Sequence, residues 1–569
     1  MEQKKARKAG IMDILRSPYA HRFFKKYKWS YLLGMAILIV IDSAQTEVPR
    51  IVGQVIDGIK YTTIDESGFA SAIIRMAVIA VLVLAGRIGW RYCIFGAARK
   101  IERDMRNDLF SHLNTLPVSY FHEHNAGEIM AYMTNDIEAV RMTFAATIMM
   151  GLDMITIGVT TLLKMIFQID FRLSLVTVIP LSMVAFVSMF VGREMHKRFT
   201  KRQEVFAKVS DFVQEKLSGI KVIKAFVQEE KEIAAFETVN IESRTANIRD
   251  AKVQAFMFPF MHMIAGCSMA IAIAYGGYIA ILGRITVGDF SAFVQYLNML
   301  VWPIASIGRI INVVTRGSAS LKRVESVLHT ESDIKDALPE IATTEPVKGE
   351  IEARELTFRY PGTDRDVLKD ISFHIEPGQT LGIVGRTGAG KTTLVNLMLR
   401  IIDPDDDMLY IGGREIHTIP LQTLRASAGY VMQDNFLFSD TIRNNIAFGD
   451  HTKSFEEIQQ AAKMACVHDN IVDFPDGYET MVGERGVSLS GGQKQRISIA
   501  RALILDPEIL ILDDALSAVD TDTEEKILEN LKTLRHGKTN VIIAHRISTL
   551  QNADKIIVVD GSRIIEEGN

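Results

Sequence analysis

Apolar positions form long unbroken stretches in the first half of the chain, and after about residue 350 they shrink to short runs between turn residues. Six long stretches precede residue 316. Most of them reach the roughly 20 helical residues that a bilayer core requires, once their polar ends are included. The pattern therefore predicts six membrane-spanning helices, at 29–41, 70–93, 144–167, 173–191, 255–282 and 290–314.

The distribution of Lys and Arg predicts how these helices are oriented. The segment before the first helix is strongly basic, and so are residues 99–106 and 193–202. The connections at 60–68, 168–172 and 283–289 are short and carry few positive charges. Because positive loops stay on the cytoplasmic side, we expect a multi-pass plasma-membrane protein with both termini in the cytoplasm.

The two long connections, about 98–140 and 193–253, mix apolar and charged residues and contain few Gly or Pro. This pattern indicates that the membrane helices continue well into the cytoplasm. Each connection has one break, in "TLPVSYFHEHNAGEIM" (115–130) and in "EKLSGIKVIKAF" (215–226). These breaks could hold short docking helices, near 125–130 and near 217–223. Residues 1–28 have the pattern of an amphipathic helix lying at the membrane interface.

The composition changes again after the last apolar stretch. Residues 317–349 are polar and predict a linker. From 350 to 569, strand-like runs alternate with turns and helices, as in an α/β domain. The predicted fold class is therefore an all-α domain of six membrane helices over 29–316, followed by an α/β domain over 350–569.

Length, charge and cysteine content narrow the class of protein. A chain of 569 residues is too long for one hydrophobic core. The formal net charge of −4 gives no indication of a nucleic-acid partner. Cys93, Cys267 and Cys466 are far apart and match neither a metal-ligand spacing nor a disulfide framework.

A glycine-rich motif in the α/β half predicts a phosphate site. The stretch "LGIVGRTGAGKTTLVNLML" (381–399) places G-x-x-x-x-G-K-T between an apolar strand and a helix, and a coincidental Gly-rich turn would lack that context. Glycine amides and the helix N-terminus can surround phosphate oxygens, while the lysine reaches the β and γ phosphates and the threonine ligates Mg²⁺. The predicted ATP-binding residues are Gly385, Arg386, Thr387, Gly388, Ala389, Gly390, Lys391, Thr392 and Thr393.

A second motif follows about 100 residues later. The stretch "VSLSGGQKQRISIARAL" (487–503) resembles the signature of ABC proteins, in which a helix N-terminus meets a γ-phosphate. Its five residues are Leu489, Ser490, Gly491, Gly492 and Gln493. With both motifs behind six predicted membrane helices, the whole chain resembles a half-transporter of the ABC exporter superfamily.

This resemblance implies roles for further residues. Tyr360 in "FRYPG" matches the aromatic residue that stacks on adenine, and "VGERG" (482–486) resembles the exporter X-loop. Asp513, at the end of an apolar strand, matches the carboxylate on the Mg²⁺ side, together with Thr392 and Gln433 as metal-site residues. The remaining matches are Gln433 of the Q-loop, the switch histidine His545, and the D-loop residues Ser517 and Asp520. The implied cofactors are ATP and Mg²⁺.

Asp514 departs from the family pattern. The family usually has glutamate after the Mg²⁺-side aspartate, where it acts as the general base that activates water. The aspartate side chain is one methylene shorter, which removes about 1.5 Å of reach. A misplacement on the order of 1 Å can lower a rate about a hundredfold. We therefore expect this chain to bind ATP well and to hydrolyse it poorly.

An intact signature and an impaired base in the same chain predict an asymmetric heterodimer, with one weak and one strong ATP site. The family closes two nucleotide-binding domains head to tail, so each ATP lies between one P-loop and the other chain's signature. This chain's signature would then serve a stronger site on a different half-transporter. A homodimer that tolerates a conservative change remains the alternative, because aspartate can still act as a base.

The resemblance implies alternating access driven by ATP, with short helices in the two breaks transmitting the motion. We expect export of small amphipathic or drug-like molecules across the plasma membrane. Lipid flipping, peptide export and import on the exporter fold remain open, whereas six membrane helices exclude a soluble ABC ATPase. Asp42 and Glu47 are costly in lipid and are candidate substrate contacts, and an outer-rim position for both is an equal alternative.

Overall fold

The structure is a computed structural model that describes Ile14 and residues 16–337, 345, 347–483 and 489–568. Within helices, the side chains of residues 184–196, 257, 258, 261 and 305 are outside this description. The chain divides into two compact units, and residues 115–124 cluster with the second unit. Residues 484–486 of the predicted X-loop, half of the predicted elbow and part of the predicted linker lie outside the described residues.

The first unit is helical, and four of its helices are 42 to 48 residues long. Short π-helical turns join several of the shorter pieces into continuous rods. Its helices are α1 (Pro18–Gln45), α2 (Val48–Lys60), α3 (Glu66–Leu113), α5 (Ala126–Ala131), α6 (Ile137–Met142), α7 (Ile148–Lys164), α8 (Phe171–Ser218), α9 (Ile220–Ala225), α10 (Glu229–Ile271), α11 (Gly277–Ile281) and α12 (Val287–Leu328).

Five helical segments of the described chain are long and apolar enough to cross a membrane: Pro18–Lys60, Glu66–Leu113, Ala126–Ile169, His262–Ile281 and Val287–Leu328. They correspond to five of the six predicted crossings. The predicted crossing at 173–191 lies in α8. There the described side chains show a shorter apolar helix, Phe171–Met183.

Side-chain caps define the short turns that the charge pattern places outside the cell. Asp65 accepts a hydrogen bond from the Gly68 amide at 2.8 Å, and Asp170 accepts one from the Leu173 amide at 2.7 Å. Such caps satisfy amides that have no partner inside the helix. At the other end, α12 continues to Leu328 and so runs past the predicted domain boundary at residue 316.

The second unit contains two sheets and a set of short helices. A four-stranded antiparallel sheet has the order β2-β1-β4-β5, and a six-stranded sheet has the order β10-β9-β3-β8-β7-β6. The strands are β1 (Ile351–Phe358), β2 (Leu368–Ile375), β3 (Thr380–Gly385), β4 (Leu409–Ile411), β5 (Arg414–Glu415), β6 (Ala428–Val431), β7 (Ile509–Asp513), β8 (Thr539–Ile543), β9 (Lys555–Asp560) and β10 (Arg563–Gly568). The helices are α4 (Val118–Glu123), α13 (Lys391–Met398), α14 (Leu421–Ala426), α15 (Ile442–Ile446), α16 (Phe455–Met464), α17 (His468–Val472), α18 (Gly491–Leu503) and α19 (Thr521–Leu534).

The six-stranded sheet brings the candidate site together. Strands β3, β6, β7, β8 and β9 pair in parallel, so their carboxyl ends lie at one edge. Every residue of β7 and β8 is buried, as expected for a sheet covered on both faces. Ligands of open α/β sheets bind outside the carboxyl ends of the strands.

A short helix from the first long connection packs in the second unit. Helix α4 begins after Pro117, and its residues share a cleft with Arg359, Tyr360 and Asp403. The helix lies inside the break predicted at 115–130, just before the 125–130 stretch where a docking helix was expected. The Asn125 side chain caps the next helix, α5.

Candidate functional site

The P-loop adopts a backbone conformation that needs glycine. Strand β3 ends at Gly385, and Gly388 and Gly390 have φ values of +83° and +97°, which side-chain-bearing residues rarely adopt. A Cβ on Gly385 would lie 2.3 Å from the Val559 carbonyl oxygen. The sequence G-R-T-G-A-G therefore fits this turn because its glycines fall where a side chain would be strained or would clash.

Lys391 starts α13 and is only 7% exposed. Its Nζ donates hydrogen bonds to the carbonyl oxygens of Gly385, at 2.7 Å, and Arg386, at 3.0 Å. Burial lowers the pKa of Lys391, while the carboxylates of Asp513 and Asp514 oppose that shift. The loop thus holds the ammonium group at the position where a phosphate chain would be bound.

Asp513 ends the buried strand β7 and is 1% exposed. Its Oδ2 is buried without a hydrogen-bond partner. Burial raises the pKa of Asp513, and the hydroxyl of Thr392 beside it opposes that shift. A buried carboxylate oxygen without a partner, next to a hydroxyl, fits the oxygen ligands that Mg²⁺ takes from P-loop proteins.

One cavity of about 170 Å³ gathers the candidate catalytic residues. Gln433 reaches it from the loop after β6, and His545 from the loop after β8. The rest of the lining is Val367, Thr387, Gly388, Gly390, Lys391, Thr392, Thr393, Asp513, Asp514 and Ile543. Residues from five separate parts of the sequence therefore meet where the strand order predicts a ligand.

The backbone of Asp514 is fixed from several directions. Its φ is +50°, a left-handed conformation that Asp and Asn tolerate better than most residues. Its amide donates to the Ile543 carbonyl at 3.0 Å. Its own carbonyl accepts from the Ser517 hydroxyl at 3.0 Å and from Gln495 Nε2 at 3.4 Å. The main chain is thus anchored on both sides of the shorter side chain.

Tyr360 lies next to the P-loop helix. Its hydroxyl is 3.1 Å from the Thr393 hydroxyl, and its ring packs edge-to-face on Phe358. An aromatic ring held beside the first turn of the phosphate-binding helix is in a suitable place to stack on a nucleotide base.

The signature residues start α18. The Ser490 hydroxyl accepts from the Gln493 amide at 3.3 Å, and Gln493 Oε1 accepts from the Ser490 amide at 2.9 Å, forming a capping box. A Cβ on Gly492 would lie 2.8 Å from the Ala518 carbonyl oxygen. Residues 489–493 are absent from the lining of the P-loop cavity, so among the described residues the two motifs face separate places.

Gln495, which the motifs did not single out, joins the signature helix to the D-loop. Gln495 is 5% exposed, and its Oε1 accepts from the Ala518 amide at 2.9 Å. Its Nε2 donates to the Ser517 hydroxyl at 3.1 Å. The D-loop ends at Asp520, whose carboxylate caps α19. The available signal was its spacing from Ile499 and Ala502, which places Gln495 on the buried side of α18.

Two further charged side chains, one buried and one partly buried, position the candidate loops. Glu524 is 4% exposed and accepts from Arg546, next to the switch histidine, at 2.7 Å. Arg501 donates to the carbonyl oxygens of Asn445 and Phe436, both at 2.8 Å, and so supports the segment after Gln433. Burial lowers the pKa of Arg501 to about 10.

The two candidate substrate carboxylates have different neighbours. Glu47 forms an ion pair with Lys164 at 2.7 Å. Asp42 is 4% exposed and is close enough for a hydrogen bond between its carboxyl group and that of Asp153. The pairing partners come from helices distant in sequence and were not identified in sequence analysis.

Comparisons with known proteins agree with this architecture. Residues 31–304 match the family model for the ABC transporter transmembrane region, and residues 368–517 match the model for the ABC transporter domain. A solved structure described as a bacterial Atm1-family ABC exporter with ATP bound is similar, with a TM-score of 0.79 and 25% identity. The match covers 96% of this chain and 95% of that chain.

Curated relatives align over almost the whole length. The chain is 38% identical to "Probable multidrug resistance ABC transporter ATP-binding/permease protein YheI" of Bacillus subtilis, over 96% of this chain and 93% of the relative. It is 37% identical to "Multidrug resistance-like ATP-binding protein MdlA" of Escherichia coli, over 96% and 92%. It is also 35% identical to "ATP-dependent lipid A-core flippase" of Desulfotalea psychrophila, over 95% and 94%.

Together, the membrane helices, the P-loop cavity and these full-length matches show one type of protein. The chain belongs to the ABC exporter family, as a multi-pass half-transporter whose ATPase domain is coupled to transport.

Proposed function

We propose that this chain is one half of an asymmetric ABC heterodimer that exports small amphipathic, drug-like molecules across the plasma membrane by alternating access. Both termini and the nucleotide-binding domain lie in the cytoplasm. The observation that carries the asymmetry is the short carboxylate of Asp514 on an anchored backbone, in a chain whose signature helix is fully formed.

The residues divide into four roles. Lys391 and the P-loop amides hold the phosphates, Tyr360 stacks on the base, and Thr392, Gln433 and Asp513 would hold Mg²⁺. When bound, Mg²⁺ neutralises phosphate charge during transfer of the phosphoryl group. The catalytic residues are Asp514 as the base, with Gln433 and His545 orienting water and the γ-phosphate.

The anchored backbone explains why Asp514 is a weak base. A shorter side chain reaches the same water only if its main chain moves closer, and the bonds to Ile543, Ser517 and Gln495 oppose that movement. A shortfall on the order of 1 Å lowers the rate about a hundredfold. The site on this chain's P-loop therefore binds ATP and hydrolyses it slowly, while the signature at Leu489–Gln493 supports fast hydrolysis on the partner.

Drug-like cargo is the substrate class that the first relatives support, since their names describe multidrug resistance proteins. Lipid flipping is the second candidate, because a flippase relative aligns over the same length at 35% identity.

Transport by the assembled protein in vesicles tests the proposal. We expect ATP-dependent efflux of amphipathic dyes and little movement of a fluorescent lipid. The Lys391→Ala variant on this chain controls for nucleotide-independent leak. Lipid translocation with no dye efflux would replace drug export with flipping, and uptake in the opposite direction would indicate an importer.

A further inference from the structure

Two carboxyl groups meet inside the membrane-spanning part of the first unit. Asp42 lies on α1 and Asp153 on α7, and the two groups are close enough to share a hydrogen bond. Asp42 is 4% exposed, and its Oδ2 makes no hydrogen bond. Oδ1 of Asp153 is also buried without a partner. Buried polar atoms without partners are rare and need a physical explanation.

The charges around the pair do not balance if both groups are ionised. Among the described residues, the charged side chains that act on the two carboxyls are the carboxyls themselves and Arg87 of α3. The Arg87 guanidinium also donates to Gln45 at 3.2 Å. Helix α12 packs against α7 and contributes no charge to the pair. Two carboxylates and one guanidinium leave one net negative charge.

Nearby ion pairs do not supply the missing positive charge. Lys164 is bound to Glu47 at 2.7 Å and to the Thr46 hydroxyl at 2.9 Å, so its charge is already matched. Two neighbouring carboxyl groups in a poorly solvated place cannot both ionise cheaply, and one shared proton removes the excess charge. The same proton would satisfy the oxygen atoms that lack partners, because a protonated carboxyl becomes a donor.

We propose that Asp42 and Asp153 share one proton when no substrate is bound, and that the cationic group of an amphipathic substrate displaces it. This rests on the proposed export of such substrates. The carboxyl O–H bond breaks, the proton passes to water, and both carboxylates then face the substrate cation. One positive charge enters as one leaves, so the site stays neutral. The Asp153 side chain is only partly buried, so water and a substrate cation can reach the pair.

Two measurements on the assembled transporter in nanodiscs test this exchange. Infrared spectra should contain a protonated-carboxyl band that disappears in both Asp42→Asn and Asp153→Asn. The dissociation constant of tetraphenylphosphonium, a permanent cation, should rise up to about tenfold for each unit that the pH falls. Asp65→Asn removes one carboxylate from an exposed helix cap, where Asn also caps, and should change neither result.

Each outcome decides a separate point. Absence of the band in the wild-type protein overturns the shared proton. Presence of the band with pH-independent binding, or with no binding of the cation, overturns the exchange. Either Asn variant can report if the other fails to assemble. If the wild-type transporter shows the band but no ATP-dependent efflux of neutral amphipathic dyes, the proposed export is refuted. The shared proton would still be supported.

Discussion

The nucleotide-binding domain has two candidate surfaces for ATP, the P-loop cavity and the signature at 489–493, and their side chains differ. The P-loop cavity has a buried Lys391, an unpartnered oxygen on Asp513, and a short side chain at Asp514. The signature surface has its capping box and the glycine that its close packing requires. In this family the two surfaces serve different ATP molecules. A substitution in the P-loop cavity therefore affects one ATP site of a dimer and leaves the other site unchanged.

The two surfaces are nevertheless physically connected. Gln495 of the signature helix bonds to Ser517 and Ala518 of the D-loop and reaches the carbonyl of Asp514. A movement of the signature helix would therefore shift the backbone of Asp514, the candidate base. A change in the side chain at 514 can therefore alter one candidate site while the hydrogen bonds between the two surfaces remain.

The largest expected effect comes from the P-loop lysine. Lys391→Ala removes a buried cation that faces the phosphates, and we expect ATP binding to the purified chain to weaken by more than about a hundredfold. Ser490→Ala is the matched variant on the other surface and should change binding by less than about twofold. Titration with a fluorescent ATP analogue measures both. Equal losses in the two variants would contradict the separation of the surfaces.

Lengthening the base should restore hydrolysis at this chain's own site. In assemblies whose other ATP site is inactivated, Asp514→Glu should raise the ATPase rate on the order of tenfold. This is less than the hundredfold that about 1 Å can cost, because glutamate at φ +50° is strained. Asp514→Asn keeps the shape without a carboxylate and should remove the residual activity. An unchanged rate in the glutamate variant would rule out a base limited by length.

Breaking the connection between the surfaces should have a smaller effect. Gln495→Leu keeps the bulk but leaves the Ala518 amide and the Ser517 hydroxyl without partners, at a cost of about 1–3 kcal/mol. We expect substrate-stimulated ATPase to fall several-fold, on the order of 3- to 10-fold, with ATP binding unchanged. Gln495→Glu keeps the acceptor for Ala518 and should be intermediate. A full loss of ATP binding in either variant would instead indicate global unfolding.

The smallest effect concerns a histidine outside both surfaces. The Asp403 carboxylate, 3.6 Å from His417 Nε2, raises the pKa of His417 despite its partial burial, and Glu415, whose Oε1 lies 2.6 Å from Nδ1, adds to the shift. The charged form is favoured in the folded state, so its stabilisation is complete below the ordinary pKa of about 6.5 and is lost as pH rises through the raised value. We expect the unfolding midpoint of the full-length protein to fall by about 1–2 °C across that window, measured by calorimetry.

His417→Asn should flatten that pH dependence and leave ATPase activity unchanged. The pKa of Asp403 is lowered in the folded protein, so its contribution disappears at acid pH instead. A variant whose midpoint still falls between neutral and alkaline pH would show that another group titrates there.

Motifs and periodicity predicted the features that depend on local sequence. The glycine spacing of 385–390 located the P-loop, because left-handed backbone and close approach leave few alternatives. Apolar runs predicted the membrane helices, five of which meet the length and hydropathy requirement within the described residues. The alternation of strands and helices predicted the α/β class of the second domain.

Features that depend on pairing between distant helices were not predictable in the same way. Lys164 neutralises Glu47 across 117 residues, and Asp153 meets Asp42 from another helix. Gln495 looked like one more polar residue of a basic helix until its D-loop contacts were visible. The break at 115–130 contains two helix starts, after Pro117 and after Asn125, and the sequence pattern did not separate the two.

The most direct test of the asymmetry is the composition and activity of the native complex. Native mass spectrometry of the transporter purified through a tag on this chain, followed by an ATPase assay of the same sample, measures both. We predict a one-to-one assembly with a different half-transporter that carries glutamate after its Mg²⁺-side aspartate. A homodimer of this chain that hydrolyses ATP rapidly would contradict the account and show that Asp514 is a competent base.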